Sequence, residues 1–195
     1  MPLKLLAEYE VLAAQAHGHL CAGQILGLRM ALHGLRLLAL DDPLGNDRKR
    51  LVCVVEIDRC LTDAIGVVTG CRLGKRALKF RDFGKTAATF CDLQENRAVR
   101  IAARESAKES ARARYPEIAD RNQQQIRAYR EIPDEELFAT EWVRVMLGAE
   151  ELPGFKAPRV VCALCGESVS FRREVVRDGR SLCRACAGDA YYGPA

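Results

Sequence analysis

Apolar side chains recur at helical spacing near the start of the chain. Leucine, tyrosine and alanine residues within the first sixteen positions fall on one face of a predicted helix, which should end at Gly18. The same spacing predicts a second helix from near Cys21 to about Leu40. Gly23 and Gly27 give this second helix a strip of small residues, against which another element can pack closely.

The pattern then changes from helical to extended. Residues 51–57, LVCVVEI, form a nearly continuous apolar and β-branched run, which predicts a central strand. Thr62 or Asp63 is expected to cap a short helix that ends at Gly70. The alternating segments KTAATFCD and RAVRIAA flank LQEN and predict a hairpin, and polar helices interrupted by Pro116 follow.

A further helix, or a helix and a strand, should close this part of the chain around Phe138 and Trp142. Helices first and strands mixed with helices afterwards predict an α+β fold, in which helices cover a sheet. The turn-rich segment 148–158, with two prolines and two glycines, has the composition of a linker. We therefore expect a core domain over residues 1–150, a linker over 151–158 and an appended domain over 159–195.

The overall composition is that of a globular protein. Of 195 residues, 49% are hydrophobic and 29% are charged, and the net charge of +4 permits an anionic partner without favouring one. No apolar run reaches the roughly 20 residues that a membrane span needs. The first residues also lack the features of a cleavable signal. We expect a cytoplasmic protein with no membrane association.

The cysteines carry the clearest chemical signal. Nine cysteines without a secretion signal argue against a disulfide framework. Two CxxC pairs, Cys162 with Cys165 and Cys183 with Cys186, are separated by residues 166–182, and this spacing is typical of a structural zinc site. Gly166 permits the tight turn after the first pair.

The predicted zinc site implies a small finger. The segment between the pairs alternates like a hairpin with Asp178 and Gly179 at its turn, and a short helix is expected over CRACAGDAYY. A turn, a hairpin and a helix make a treble-clef-like finger. A redox pair or buried thiols remain the alternative, although so short a segment needs a metal or another cross-link to fold. Arg172, Arg173 and Arg177 form either a partner surface or a solvated basic face.

A second group of metal-ligating residues lies between the first two helices. His17, His19 and Cys21 fall within five residues, and imidazole with thiolate suits zinc, iron or another borderline metal. Such a site needs a fourth ligand from elsewhere, and Cys60, after the predicted strand, is the natural candidate. The alternative is a capping histidine with two half-buried neighbours.

Other residues near Cys60 are candidates for supporting roles. Glu56 and Asp63 could orient a ligand histidine or transfer protons. Cys71 is a lower-ranked thiol candidate, whereas Cys53 and Cys91 are interpreted as packing residues.

Three segments together resemble the FmdE family, which is named after a component of formylmethanofuran dehydrogenase. They are HGHLCAGQILGLRMA (17–31), VEIDRCLTDAIGVVTGCRLGK (55–75) and DFGKTAATF (82–90). The tail is similar to the zinc finger of some members and to that of DksA/TraR regulators. The resemblance implies a thioredoxin-like mixed sheet flanked by helices, a treble-clef zinc finger and a homodimer.

The resemblance also implies a metal-binding active site in the core domain. Its ligands would be His17, His19, Cys21 and Cys60. Because Asp63 lies close to Cys60 in sequence, we expect the catalytic residues to be Cys21, Cys60 and Asp63. The implied cofactors are a structural zinc in the finger and a second zinc or other transition metal in the core.

We expect an FmdE-like metalloprotein, accessory to a molybdenum or tungsten enzyme of the formylmethanofuran dehydrogenase type. The sequence has no spacing for an iron–sulfur cluster and leaves open whether the chain is itself an enzyme. The alternative is a regulator whose finger binds nucleic acid or RNA polymerase and whose core senses metal or redox state; the modest charge disfavours nucleic acid. A third hypothesis is a thiol redox protein using Cys21 with Cys60 or Cys71.

Overall fold

A computed structural model describes residues 2–193 and divides the chain into two compact units. The first unit ends at Val145 and the second begins at Met146. The turn-rich segment 148–158 therefore lies at the start of the second unit. No helix within residues 2–193 has the length and apolar character needed to cross a membrane.

Helices make up much of the first unit. The periodicity predicted the first two of them, and the first ends at Gly18 in the left-handed conformation (φ 94°) as expected. The polar helices on either side of Pro116 are also confirmed. The helices are α1 (Leu6–His17), α2 (Ala22–Leu38), α3 (Cys60–Thr69), α4 (Ser106–Arg114), α5 (Arg121–Glu131) and α6 (Asp134–Leu137).

Five strands form one mixed sheet in the order β2-β1-β3-β4-β5. Strand β1 pairs parallel with β2, and the remaining pairs are antiparallel. The predicted hairpin over LQEN joins β3 to β4, and the predicted strand at 51–57 lies inside the sheet. The α+β class with a mixed sheet is therefore confirmed. The strands are β1 (Leu51–Val55), β2 (Leu78–Phe80), β3 (Ala87–Asp92), β4 (Arg97–Ala103) and β5 (Phe138–Val143).

Helix α2 packs tightly on both the sheet and α3. A Cβ atom added to Gly34 would lie 2.5 Å from the Phe90 ring on β3, and one added to Gly27 would lie 2.6 Å from the Leu61 carbonyl oxygen on α3. Gly27 is needed because the α2 and α3 backbones approach more closely than a side chain allows, and Gly34 is needed because the Phe90 ring packs directly against the α2 backbone. This packing fixes the start of α3 beside the start of α2.

The start of α3 differs from the prediction. Thr62 and Asp63 do not cap the helix, because it already begins at Cys60 with Arg59 in extended conformation before it. The Thr62 hydroxyl instead donates to the Ile57 carbonyl oxygen at 2.5 Å. The helix ends at Gly70 as predicted (φ 67°). The early start places Cys60 at the first position of α3.

The second unit contains two small antiparallel sheets, β6 (Val160–Val161) with β7 (Ser168–Val169), and β8 (Val175–Arg177) with β9 (Arg180–Leu182). The predicted hairpin turn is confirmed, with Asp178 and Gly179 at φ 50° and 72°.

The prediction of a helix over CRACAGDAYY is wrong. Residues 184–188 form consecutive turns, and Gly188 leaves the helical region with φ 98°. The Ala187 N–H reaches the Cys183 carbonyl, but the Asp189 N–H returns to the Arg184 carbonyl, which ends the segment after one turn. The second CxxC pair therefore lies in turns rather than at the start of a helix.

Candidate metal centre

The short connection between α1 and α2 brings three metal-ligating side chains together. The ligand atoms of His17, His19 and Cys21 all lie within 4.8 Å of one another. The two imidazole rings are 5.0 Å apart between centroids. Cys21 and His17 are half-buried and His19 is exposed. The arrangement offers two nitrogen ligands and one sulfur ligand at the surface of the first unit.

Asp63 on α3 contacts this group directly. Its Oδ2 atom lies 2.8 Å from Nδ1 of His17. A carboxylate at Nδ1 orients the imidazole and leaves Nε2 as the nitrogen that can ligate a metal. Asp63 is therefore positioned to orient His17 as a metal ligand.

The Glu56 carboxylate pairs with an arginine instead of a histidine, so the prediction that it orients a histidine is wrong. Its carboxylate accepts two hydrogen bonds from Arg100 on β4, at 2.6 and 2.7 Å. The sheet register explains the pairing. Val54 and Arg100 both lie opposite Thr89, and Glu56, two positions beyond Val54, falls on the same face of the sheet.

Cys60 lies beside Cys21 but outside the three-residue group. A Cβ atom on Gly23 would lie 3.4 Å from the Cys60 Cβ and 3.7 Å from the Cys21 sulfur, so the two cysteines flank this glycine. Burial and hydrogen bonding to the Cys21 thiol raise the pKa of Cys60. The structure thus brings Cys60 next to one member of the histidine–cysteine group.

A cavity of about 490 Å³ opens beside the two cysteines. It lies where the first turns of α2, α3 and α5 meet. Asn122 of α5 accepts a hydrogen bond from the Ala22 N–H at 2.9 Å, which joins the starts of α2 and α5. The lining residues are Cys21, Ala22, Gly23, Ile57, Arg59, Cys60, Leu61, Thr86, Asn122 and Gln125.

Sequence reasoning missed the polar lining of this cavity. Asn122 is 100 positions from Ala22 in sequence, and no local pattern links α5 to the histidine–cysteine motif. Only the tertiary packing of α5 against α2 reveals it.

Three further thiols of the first unit are buried in its interior. Cys53, Cys71 and Cys91 are at most 5% exposed. Burial raises the pKa of Cys53, and it raises the pKa of Cys91 to about 12. Cys71 lies 3.8 Å from the Leu51 carbonyl oxygen and does not line the cavity. These thiols contribute to packing.

The second unit brings four cysteine sulfurs together. The sulfurs of Cys162, Cys165, Cys183 and Cys186 all lie within 4.8 Å of one another. Backbone N–H groups, first that of Cys165, lower the pKa of Cys162 to about 6. The Cys183 and Cys165 thiols raise the pKa of Cys186 to about 12. Four crowded sulfurs with backbone donors around them fit a tetrahedral zinc ion.

The finger's basic residues face solvent. Arg172, Arg173 and Arg177 are exposed, and Arg172 lies over the Phe155 ring at 5.7 Å. Exposure is compatible with both a partner surface and a solvated basic face.

The fold and the two ligand groups define an α+β protein with a candidate metal centre and a C4 zinc-finger unit. The family model described as "FmdE, Molybdenum formylmethanofuran dehydrogenase operon" matches residues 16–139, and the prokaryotic DksA/TraR C4-type zinc finger matches residues 157–192. The chain belongs to the FmdE family.

Two known proteins are similar along most of the chain. A probable S-adenosyl-L-methionine-binding protein of Archaeoglobus fulgidus is 32% identical over 92% of this chain, and the chain spans about half (52%) of that protein's length. The crystal structure of a tungsten formylmethanofuran dehydrogenase FmdE-like protein from Syntrophus aciditrophicus has a TM-score of 0.65 at 20% identity. That match covers 98% of this chain and 100% of the other. It supports the fold.

Proposed function

We propose that the first unit binds a transition-metal ion through His17, His19 and Cys21 and presents it to a small molecule in the adjoining cavity. The observation that carries this proposal is the convergence of the three ligand atoms within 4.8 Å. Zinc bonds of about 2.0–2.3 Å place neighbouring ligand atoms roughly 3.5 Å apart, so small side-chain rotations close the group. Two imidazoles and a thiolate suit zinc or another borderline metal.

The surrounding residues have distinct tasks in this proposal. Asp63 holds His17 by its Nδ1 atom and keeps the ring oriented. Cys60, adjacent to Cys21, supplies the fourth ligand or a thiol beside an open coordination position. A metal with an open position acts as a Lewis acid on a bound carbonyl or water. Cys21, Cys60 and Asp63 remain the proposed catalytic set.

In the second unit, we propose a structural zinc held by the four finger cysteines. Four thiolates close the tetrahedron, so this ion stabilises the fold and leaves no position for substrate.

We further propose that the chain is accessory to a molybdenum or tungsten enzyme of the formylmethanofuran dehydrogenase type. The family's description refers to that enzyme's operon. The second candidate function is that of a regulator, because the finger is similar to that of DksA/TraR proteins. Residues 157–192 carry six arginines and four carboxylates, and zinc with four thiolates adds two negative charges. The finger is thus nearly neutral, which disfavours nucleic acid as its partner.

Metal analysis tests the proposed function. The zinc-reconstituted full chain should hold two metal ions, and Cys21→Ser should hold one. Cys91→Ala removes a thiol that does not line the cavity, and it should still hold two. A wild-type chain that binds only one ion after reconstitution contradicts the proposal.

The homodimer that the resemblance implies and the cytoplasmic location that the sequence predicts stay predictions. Light scattering on the purified chain measures the first, and cell fractionation the second.

A further inference from the structure

We propose, building on the function above, that the cavity beside the candidate metal centre binds a small organic monocarboxylate. The wall has one cationic side chain, Arg59, and no acidic side chain among the described lining residues. Within residues 2–193, no carboxylate forms an ion pair with Arg59, and the nearby Asp63 and Glu56 contact His17 and Arg100 instead. The guanidinium is therefore available to an anion from solution.

Two carboxamides on α5 extend this set of donors. The side-chain oxygen of Asn122 accepts from the Ala22 N–H, so its NH₂ group is left to donate. Gln125, one turn further along α5, lines the same cavity and is half-buried. Arginine and amide N–H groups together match the oxygens of a carboxylate.

The backbone adds a positive electrostatic potential to that of Arg59. The first residues of α2 and α3, including Gly23 and Leu61, line the cavity. First-turn N–H groups have no partner within their helix and carry partial positive charge. They reinforce Arg59 in favouring an anion.

Size and apolar lining favour an organic anion over a bare inorganic ion. The cavity's volume of about 490 Å³ exceeds what a small ion needs, and Ile57, Leu61 and Ala22 provide apolar wall. One cationic side chain balances one negative charge, which favours a monocarboxylate over phosphate. The thiols of Cys21 and Cys60 lie on the same wall, so a bound molecule lies beside the proposed metal ligands.

Calorimetric titration of the zinc-loaded full chain tests the inference, with butyrate, butyramide and inorganic phosphate as probes. Butyrate should bind more tightly than either of the others. Arg59→Gln should weaken butyrate binding about tenfold or more, since a charge-assisted hydrogen bond is lost. Arg112→Gln, on the exposed face of α4, is the matched control and should bind butyrate like wild type.

Gln125→Leu provides a second variant if Arg59→Gln folds poorly, and circular dichroism checks both. Equal binding of butyrate and butyramide, or butyrate binding unchanged in Arg59→Gln and Gln125→Leu, overturns the inference. Metal analysis of the same samples separates the two proposals. Arg59-dependent butyrate binding with a single metal ion rejects the core metal site alone, whereas two ions without Arg59 dependence reject the carboxylate site alone.

Discussion

Gly27→Ala tests whether α2 and α3 pack as closely as the structure shows. A Cβ atom at this position would lie 2.6 Å from the Leu61 carbonyl oxygen, 2.8 Å from the Ala64 Cβ and 2.9 Å from the Leu61 Cα. All three distances are below normal contact, and two of the atoms belong to the backbone. No side-chain rotation relieves such contacts, so α3 must move away from α2.

The expected loss of stability follows from two opposing effects. Overpacking a core typically costs about 1–3 kcal/mol, and the backbone contacts here favour the upper end. Alanine in a helix is more favourable than glycine by about 1 kcal/mol, which offsets part of this cost. We expect a net loss of about 2 kcal/mol in the free energy of unfolding.

Urea unfolding followed by tryptophan fluorescence measures this loss. The single tryptophan of the chain, Trp142, lies on β5 and reports on the first unit. Gly74→Ala is the control, because a Cβ there meets nothing within 4 Å, and it should change stability by less than about 0.5 kcal/mol. A Gly27→Ala variant as stable as wild type would refute the close packing of α2 on α3.

Three further predictions concern charge and metal. Burial raises the pKa of Asp134, but hydrogen bonds from His33 and Arg29 outweigh it and lower the value to about 2. The folded pKa lies below the unfolded one, so this stabilisation is present above about pH 4 and is lost as the pH falls towards about 2. Urea unfolding should therefore show Asp134→Asn less stable by about 2 kcal/mol at about pH 6, with the difference shrinking as the pH falls. Asp63→Asn should weaken metal binding at the core site about tenfold in a chelator competition, whereas the control Asp58→Asn, at an exposed position, should leave it unchanged. If Asp63→Asn binds the metal as tightly as wild type, Asp63 does not support the site. Removing zinc with a chelator should make residues 157–192 sensitive to protease, because the buried core of the finger's described residues consists of just Cys162, Leu182 and Ala187. Continued resistance would mean that the finger folds without metal.

The sequence predicted those parts of the fold that local patterns encode. Helical spacing located α1 and α2, and the β3–β4 hairpin followed from strand alternation around a polar turn. The pairing of β1 with both β2 and β3 was not predictable, because sheet order depends on contacts between distant segments. The thioredoxin-like arrangement implied by the resemblance stays a prediction.

For the candidate site too, local sequence predicted some residues, whereas tertiary contacts determined the others. His17, His19 and Cys21 are close in sequence, so their proximity could be anticipated. Glu56 was assigned wrongly because its partner, Arg100, is chosen by the register of three strands.

The polar cavity wall was missed because α5 reaches it only through tertiary packing. In the finger, CxxC spacing indicated the four sulfurs, but the helix expected after the second pair is absent from the described residues, since Gly188 ends the turn.

X-ray absorption at the zinc edge of the fully reconstituted chain tests the central claim most directly. Two histidines on one zinc ion and a four-sulfur finger predict a nitrogen shell at about 2.0–2.1 Å, averaging one nitrogen per zinc, beside sulfur at about 2.3 Å. A spectrum that contains only sulfur neighbours, with one zinc per chain, would contradict a metal centre at His17, His19 and Cys21.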